Sequence, residues 1–303
     1  MLGTNELMQN AWKAGTVIPA FNIPYLPMME AVVRALRDTR CFGLIAVARP
    51  DWTKFAAGST RDVAAEYERV KDETCTRLHL DHVPVVDEDN YTVEYDAIIA
   101  QALNLGYQSA MVDGSRLRLK ENIAATKMVV NMAHAAGVPV EAELGAVLGH
   151  EAGPLPPYEE LFASGKGFTD PEEAKRFVEE TNVDWLSVAI GNIHGAISGA
   201  AKSQKKVAAR LSIERLDAIR EATNVPLVLH GGSGIQKSYV LDAFRHGIAK
   251  INIGTVIRQA YENNVAKSVE AAQQAVYDAT VAVVRNELEV EGSVETINPD
   301  AGA

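Results

Sequence analysis

Three places in the sequence set an imidazole at the end of a short apolar run: Leu80-Asp81-His82, Asn192-Ile193-His194-Gly195 and Leu229-His230-Gly231. Asp113 closes another such run, and Glu141 and Glu143 alternate with apolar residues in a fifth. Imidazole and carboxylate are donor types that hold a divalent ion, and three imidazoles with an open fourth position are the ligand set of a catalytic zinc. A metal held in that way is a Lewis acid for a carbonyl, and a carboxylate beside it, such as Asp81, can move a proton. The three histidines are 112 and 36 residues apart, so they form no local metal motif. Singly, each reads more simply as a hydrogen-bonded structural histidine. The metal reading depends on a fold that gathers them.

Short runs rich in Val, Ile and Leu alternate with longer stretches of helical period. The predicted strands are Val17–Asn22, Leu44–Ala48, Arg77–His82, Ser109–Asp113, Val138–Leu144, Trp185–Ile190, Pro226–His230 and Lys250–Ile253. Helices are predicted near Met28–Arg37, Lys54–Val70, Val93–Leu105, Lys120–Ala136, Pro171–Thr181, Ile213–Ala222, Lys237–His246 and Thr255–Ala272. Thr169-Asp170-Pro171-Glu172 is a helix start with a cap, a proline and an acid in order. Eight strand–helix units in about 255 residues predict an α/β fold of the (β/α)8 TIM-barrel type, whose active sites lie at the C-terminal ends of the strands. A doubly wound open sheet shares the alternation and is the competing architecture.

In a barrel the imidazoles and carboxylates above share one face. One condition is geometric. Neighbouring side chains in a regular strand point opposite ways, so Asp81 and His82 both reach the site only if the strand ends between them and His82 lies on the loop. His79 falls one layer deeper, as a core or supporting residue. His134, His150 and His246 are assigned to helix or loop surface, with His150 on a long loop, Gly145–Phe168, that carries three prolines and five glycines and reads as an active-site flap. The barrel is expected to span residues 1–288, with 289–303 a loose C-terminal tail.

A second cluster suits phosphate. Gly231-Gly232-Ser233-Gly234 follows the seventh strand, and Asn252-Ile253-Gly254-Thr255 closes the eighth and opens a helix. Glycines let backbone N–H groups approach an anion, and a helix N-terminus adds partial positive charge. A metal next to a phosphate cradle suggests chemistry at the carbonyl of a phosphorylated substrate. A lysine Schiff base is disfavoured, because Lys250 is placed at the start of its strand, away from the catalytic end.

Composition narrows the partners. Hydrophobic residues make up 47% and charged residues 23% of 303, ordinary for a globular protein. A formal charge of -11 argues against affinity for nucleic acid or an anionic membrane. Two cysteines, Cys41 and Cys75, exclude a disulfide framework. With no apolar run long enough to span a bilayer, a cytoplasmic location is expected.

The chain resembles the class II, zinc-dependent ketose-bisphosphate aldolases, the group of fructose- and tagatose-bisphosphate aldolases. The resemblance lies in Ala20-Phe21-Asn22, His79-Leu80-Asp81-His82, Val112-Asp113-Gly114-Ser115 and Val140-Glu141-Ala142-Glu143-Leu144-Gly145. It continues in Ala189-Ile190-Gly191-Asn192-Ile193-His194-Gly195, Leu229-His230-Gly231-Gly232-Ser233-Gly234 and Lys250-Ile251-Asn252-Ile253-Gly254-Thr255. All seven segments follow the family order.

The resemblance implies one catalytic Zn2+ per chain on His82, His194 and His230, with Asp81 as acid/base and Asp113 and Glu143 at an alternative metal position. It implies that Gly195, Gly231, Ser233, Asn252 and Thr255 bind a phosphate and that Asn22 lines the pocket; Gly254 belongs to the same cradle. A monovalent cation is a further candidate at the phosphate. A small phosphorylated sugar as substrate, dihydroxyacetone phosphate as product and a homodimer or homotetramer follow from the same resemblance.

The chain departs from the family pattern on the aldehyde side. After strand two, where a serine-containing segment is usual, it reads Val47-Ala48-Arg49-Pro50-Asp51-Trp52. Val83 follows His82, Pro84–Asn90 reads as an insertion, Val256 takes a place often held by aspartate, and the arginine for a second phosphate has no counterpart. Arg49 is the candidate for reading an anionic or polar group on a non-standard aldehyde portion; the simpler alternative pairs it with Asp51. Two further functions compete: a metal-dependent hydrolase on the same barrel, and a non-catalytic aldolase-like partner subunit.

Overall fold

The structure is a computed structural model that describes residues 2–145, 158–192, 209–232 and 234–302. Eight parallel strands close into a barrel in chain order: β1 Ile18–Asn22, β2 Gly43–Ala48, β3 Thr76–Pro84, β4 Ser109–Asp113, β5 Val140–Leu144, β6 Trp185–Val188, β7 Leu227–Leu229 and β8 Ile248–Ile253. β1 pairs with β8 through Ile18↔Lys250 to Phe21↔Ile253, which completes the ring. The open-sheet alternative is thereby excluded. Helices α2 (Met28–Asp38), α4 (Thr60–Val70), α5 (Tyr95–Asn104), α6 (Leu119–Ala135), α8 (Pro171–Thr181), α9 (Ile213–Thr223), α10 (Lys237–Arg245) and α11 (Thr255–Glu262) lie between or after the strands.

Alternation along the strands builds two apolar layers. In β2, Ile45 and Val47 join the large layer between strands and helices, whereas Leu44 and Ala46 point into the barrel. The interior layer adds Ile18 and Ala20 from β1, Trp185 from β6 and Val228 from β7. Helix α1 (Thr4–Ala14) closes the floor with Leu7, Met8 and Ala11, all buried. No helix was expected there. Above this floor the inward positions turn polar: Asn22, His79, Asp81, Asp113, Glu141 and Glu143 continue the same alternation toward the catalytic end.

Two strands break the alternation. β3 pairs Leu80 with Ala110 and then Val83 with Val112, so three steps on β3 match two on β4. β8 pairs Ile248 with Leu227 and then Lys250 with Val228, again with one residue too many. An extra residue of this kind is a β-bulge, which re-aims side chains and is frequent beside active sites.

Several boundaries differ from expectation. α8 begins at Pro171 behind Asp170, whose side chain accepts from the Glu172 and Glu173 N–H groups, as predicted. The predicted helix Lys54–Val70 is instead a short helix, α3 (Arg49–Thr53), followed by α4 capped by Ser59. Thr255–Ala272 is broken by a turn, with α12 (Val269–Ala282) restarting behind the Ser268 cap. Part of the predicted flap is helix α7 (Tyr158–Ser164); Tyr158 Oη lies 2.9 Å from the Arg210 carbonyl oxygen and 3.2 Å from that of Gly191. Residues 146–157, including His150, lie outside the described residues.

The segment 289–302 is packed and ordered, contrary to the loose tail expected. Helix α13 (Val294–Ile297) buries Ile297 in the barrel-floor layer. The Phe42 N–H donates to Ser293 Oγ at 3.1 Å, and Asn298 Nδ2 donates to the Thr74 carbonyl at 2.9 Å. Buried apolar contacts and satisfied donors, rather than composition, decide order here. Truncating Ile297 to Ala removes a fully buried side chain and is expected to cost about 2–5 kcal/mol, read as a lower urea midpoint; an unchanged midpoint would show the segment to be dispensable.

Candidate metal centre and active site

The bulge in β3 meets the geometric condition in a way the regular strand could not. β3 continues to Pro84 rather than ending between Asp81 and His82. His82 adopts φ 31, in the left-handed region, where a non-glycine residue costs of order 1–3 kcal/mol and persists only if its surroundings hold it. That conformation lets two consecutive residues face the barrel mouth.

His82 and His230 meet edge to face, ring centroids 4.3 Å apart, with His82 Nε2 2.5 Å from His230 Nδ1. Each ring has a carboxylate behind it: Asp113 Oδ2 lies 3.5 Å from His82 Nδ1, and Glu141 Oε1 lies 2.7 Å from His230 Nε2. Two groups among the described residues are compact enough to hold a metal ion, Asp81 with His82 and His230, and His82 with Asp113 and Glu143. Imidazole nitrogens backed by carboxylates are the surroundings that orient and strengthen metal-binding histidines, so the donor set fits a divalent ion. His194, Gly195 and Ser233 lie outside the described residues.

Asp81 sits between this pair and the polar floor. Its Oδ2 accepts from Asn22 Nδ2 and Asn252 Nδ2, both at 2.8 Å. Its Oδ1 faces His79 Nε2 at 3.5 Å and Lys250 Nζ at 3.7 Å. Burial alone would push its pKa up, but the charges of Lys250 and His82 hold it well below the usual carboxylate range. His82 is likewise opposed by burial, yet Asp81, Asp113 and Glu143 raise it to about 10. His230 is lowered to about 4 by burial and by the neighbouring His82. The two facing rings are thus pushed in opposite directions. Glu143, buried and facing Asp113, is raised to about 8.

Lys250 stands mid-strand in β8 and points inward, not at a remote strand start. Its Nζ lies 2.8 Å from Glu141 Oε2 and 2.7 Å from Asn252 Oδ1. The difference lies in the strand's start: β8 begins at Ile248, two residues before the expected Lys250, and its bulge turns both Ala249 and Lys250 inward. His79 is fully buried, with Nδ1 2.9 Å from Ser109 Oγ, the supporting position expected. His134 on α6 faces Asp184, and His246, just past the end of α10, faces Asp217, both away from this cluster.

Around the mouth, Gly231 has φ 69, a backbone that favours glycine, and a Cβ on Gly232 would come within 3.1 Å of Ile251 Cδ1. Gly254 precedes Thr255, the first residue of α11. Asn192, unnamed among the candidate residues, donates from Nδ2 to the His230 carbonyl at 2.9 Å and so ties the end of β6 to the end of β7.

The Arg49 side chain does not pair with Asp51. Its Nη1 is 3.3 Å from Asp87 Oδ2, because Pro84–Asn90 folds as a hairpin in which Asp87 Oδ1 accepts from the Asp89 and Tyr91 N–H groups. Lys54 pairs with Glu88 in the same hairpin. Asp51 is instead buried: its Oδ2 accepts from the Ala48 N–H at 2.8 Å. Burial raises its pKa to about 7, against the pull of that N–H and with the push of Asp81.

A carboxyl whose folded pKa is raised from 3.8 to about 7 adds stability that is complete below 3.8 and lost as pH rises through 7. Asp51→Asn keeps an acceptor for Ala48 and is neutral throughout. Its stability relative to the parent protein is expected to rise between pH 4 and pH 8 by up to about 4 kcal/mol, measured by urea unfolding at each pH; a constant difference would refute the buried charge.

Comparison with known proteins agrees with this geometry. The family described as Fructose-bisphosphate aldolase class-II matches residues 3–298. The fold is similar to the YdjI aldolase from Escherichia coli K12, with a TM-score of 0.75 and 27% identity over 97% of this chain and 100% of that one. It is similar to a candidate fructose-1,6-bisphosphate aldolase from Coccidioides immitis, with a TM-score of 0.74 and 26% identity over 96% and 99% of the two chains. Fructose-bisphosphate aldolase from Campylobacter jejuni shares the fold, with a TM-score of 0.71 and 18% identity over 95% and 94%. A closed eight-stranded barrel with paired, carboxylate-backed histidines at its mouth, matched nearly end to end by the family, leads to one conclusion: the chain belongs to the class II fructose-bisphosphate aldolase family.

Proposed function

We propose that the protein is a zinc-dependent aldolase that cleaves and forms a carbon–carbon bond in a phosphorylated ketose, with dihydroxyacetone phosphate as one product. The observation that carries this reading is the convergence of His82 Nε2 and His230 Nδ1 on one point beside Asp81. Zinc fits the donors present, with His82, His230 and His194 as its holders and Asp113 and Glu143 as neighbouring carboxylates. Bound there, it would supply Lewis acidity to the ketose carbonyl and to the negative charge that develops on it.

The chain's own groups do the rest. Asp81, kept ionised by Lys250 and aligned by two amides, takes the proton from the hydroxyl whose carbon becomes the aldehyde, and returns it in the reverse direction. The backbone of Gly231, Gly254 and Thr255 lines the phosphate cradle, to which the sequence pattern also assigns Gly195 and Ser233; Asn22 and Asn252 orient substrate and Asp81 together. The reaction is placed in the cytoplasm on free phosphorylated sugars, by a homo-oligomer.

Two experiments test this reading. The metal-loaded protein is expected to release dihydroxyacetone phosphate from at least one phosphorylated ketose, with activity lost to a chelator and restored by zinc. Asp81→Asn is expected to lower kcat by roughly 10^2–10^4 with zinc content unchanged. No cleavage of any ketose in the panel by metal-loaded protein would sink the proposal, and hydrolytic products alone would favour the hydrolase.

Arg49 completes the proposal on the aldehyde side. Its side chain is 26% exposed, and among the described residues its Nη1 pairs with Asp87, which leaves further donors for a substrate. Arg49→Ala is expected to raise KM for ketoses with an anionic or polar far end while sparing those without one. An equal loss on every substrate, or no loss, would rule out selection by Arg49.

A further inference from the structure

Glu141, one of the two inward carboxylates of β5, stands behind His230. It is fully buried, and its oxygens face His230, Lys250 and, at 3.6 Å, His79 Nε2. Oε1 lies 2.7 Å from His230 Nε2, and Oε2 lies 2.8 Å from Lys250 Nζ. A carboxylate paired with a lysine can only accept hydrogen bonds. The His230 nitrogen facing it must then be the donor. A neutral imidazole that donates from Nε2 carries its lone pair on Nδ1, and Nδ1 is the nitrogen turned toward His82 Nε2.

We infer that Glu141, backed by Lys250, is a positioning residue that fixes His230 in its Nε2–H tautomer and so aims the Nδ1 lone pair at the metal centre. The inference rests on the proposed metal-dependent reading. Lys250 extends the arrangement: Asn252 Oδ1 accepts from it, while Asn252 Nδ2 donates to Asp81. One buried ammonium thus holds in place both the carboxylate that orients a histidine and the amide that orients the proton-moving aspartate. The alternative is a purely structural ion pair. Against it stands the energetics of burial, since replacing a buried ion pair with packed apolar groups is often neutral or stabilising.

The test uses the full chain. In metal-free protein labelled with 15N-histidine, the long-range 1H–15N spectrum, assigned with a His230→Gln variant, is expected to show His230 protonated on Nε2. Zinc affinity, measured by competition with a chromophoric chelator, is expected to fall 10–100-fold in Glu141→Ala and about tenfold in Glu141→Gln. The double variant Glu141→Gln/Lys250→Met removes one buried charge of each sign and leaves Asp81 beside His82, so its thermal midpoint is expected to recover relative to Glu141→Gln while its zinc affinity stays low. Circular dichroism checks each fold, and if the Ala variant does not fold, the parent tautomer and the Gln variants decide. An Nδ1–H tautomer, or zinc affinity that matches the parent protein in a folded variant, would overturn the inference. If the parent protein itself binds no zinc, the proposed function fails instead.

Discussion

The barrel mouth is organised around one buried cation. Lys250 has no access to solvent, and an unpaired ammonium in such a place is prohibitively costly. It is tolerated because Glu141, Asn252 and Asp81 surround it. The carboxylates need it equally, since each would otherwise carry an uncompensated charge in the interior. Mutual neutralisation therefore precedes any chemistry: it lets Asp81 stay ionised without water and gives Glu141 a fixed orientation. The histidines are arranged from below by the buried charges of Glu141 and Lys250.

The same logic separates the two halves of the site. The face built by β3, β5, β7 and β8 is dense and buried, its charged groups set against one another, so change there is penalised at several points together. The rim built by Arg49, Asp87, Lys54 and Glu88 is a set of partly exposed ion pairs between one short helix and one hairpin. Exposed pairs contribute little to stability, so this rim can vary at small cost. Departures from the family pattern collect there, where loops on a rigid scaffold tune recognition.

Much of this was legible in the residues themselves. Alternation in Val140-Glu141-Ala142-Glu143-Leu144 places both glutamates inward, and Asp170-Pro171 announces the start of α8; both hold in the structure. What escaped has physical causes. A bulge adds one residue without any characteristic side chain, so period-two reasoning fails silently after it. That is why Asp81 and His82 were expected to share the site only if the strand ended between them, whereas Lys250 was misplaced by a strand start set two residues late. The Arg49 partner lies 38 positions away in a hairpin whose form depends on Asp87 folding back on its own backbone. The order of residues 289–302 reflects apolar contacts with the barrel floor, which composition does not register. Glu141 went unnamed as a supporting group because its partners come from two other strands.

The paired irregularities in β3 and β8 carry a consequence for how such a chain can change. Removing a single residue from either strand would give the sheet a more regular ladder, and in β3 it would also relieve the left-handed backbone at His82. It would also swing either the aspartate–histidine couple or the lysine out of phase with the cavity. A shortened variant could thus gain architectural regularity and be chemically inert, which means that the lengths of these two strands are dictated by reactivity and only tolerated by the architecture.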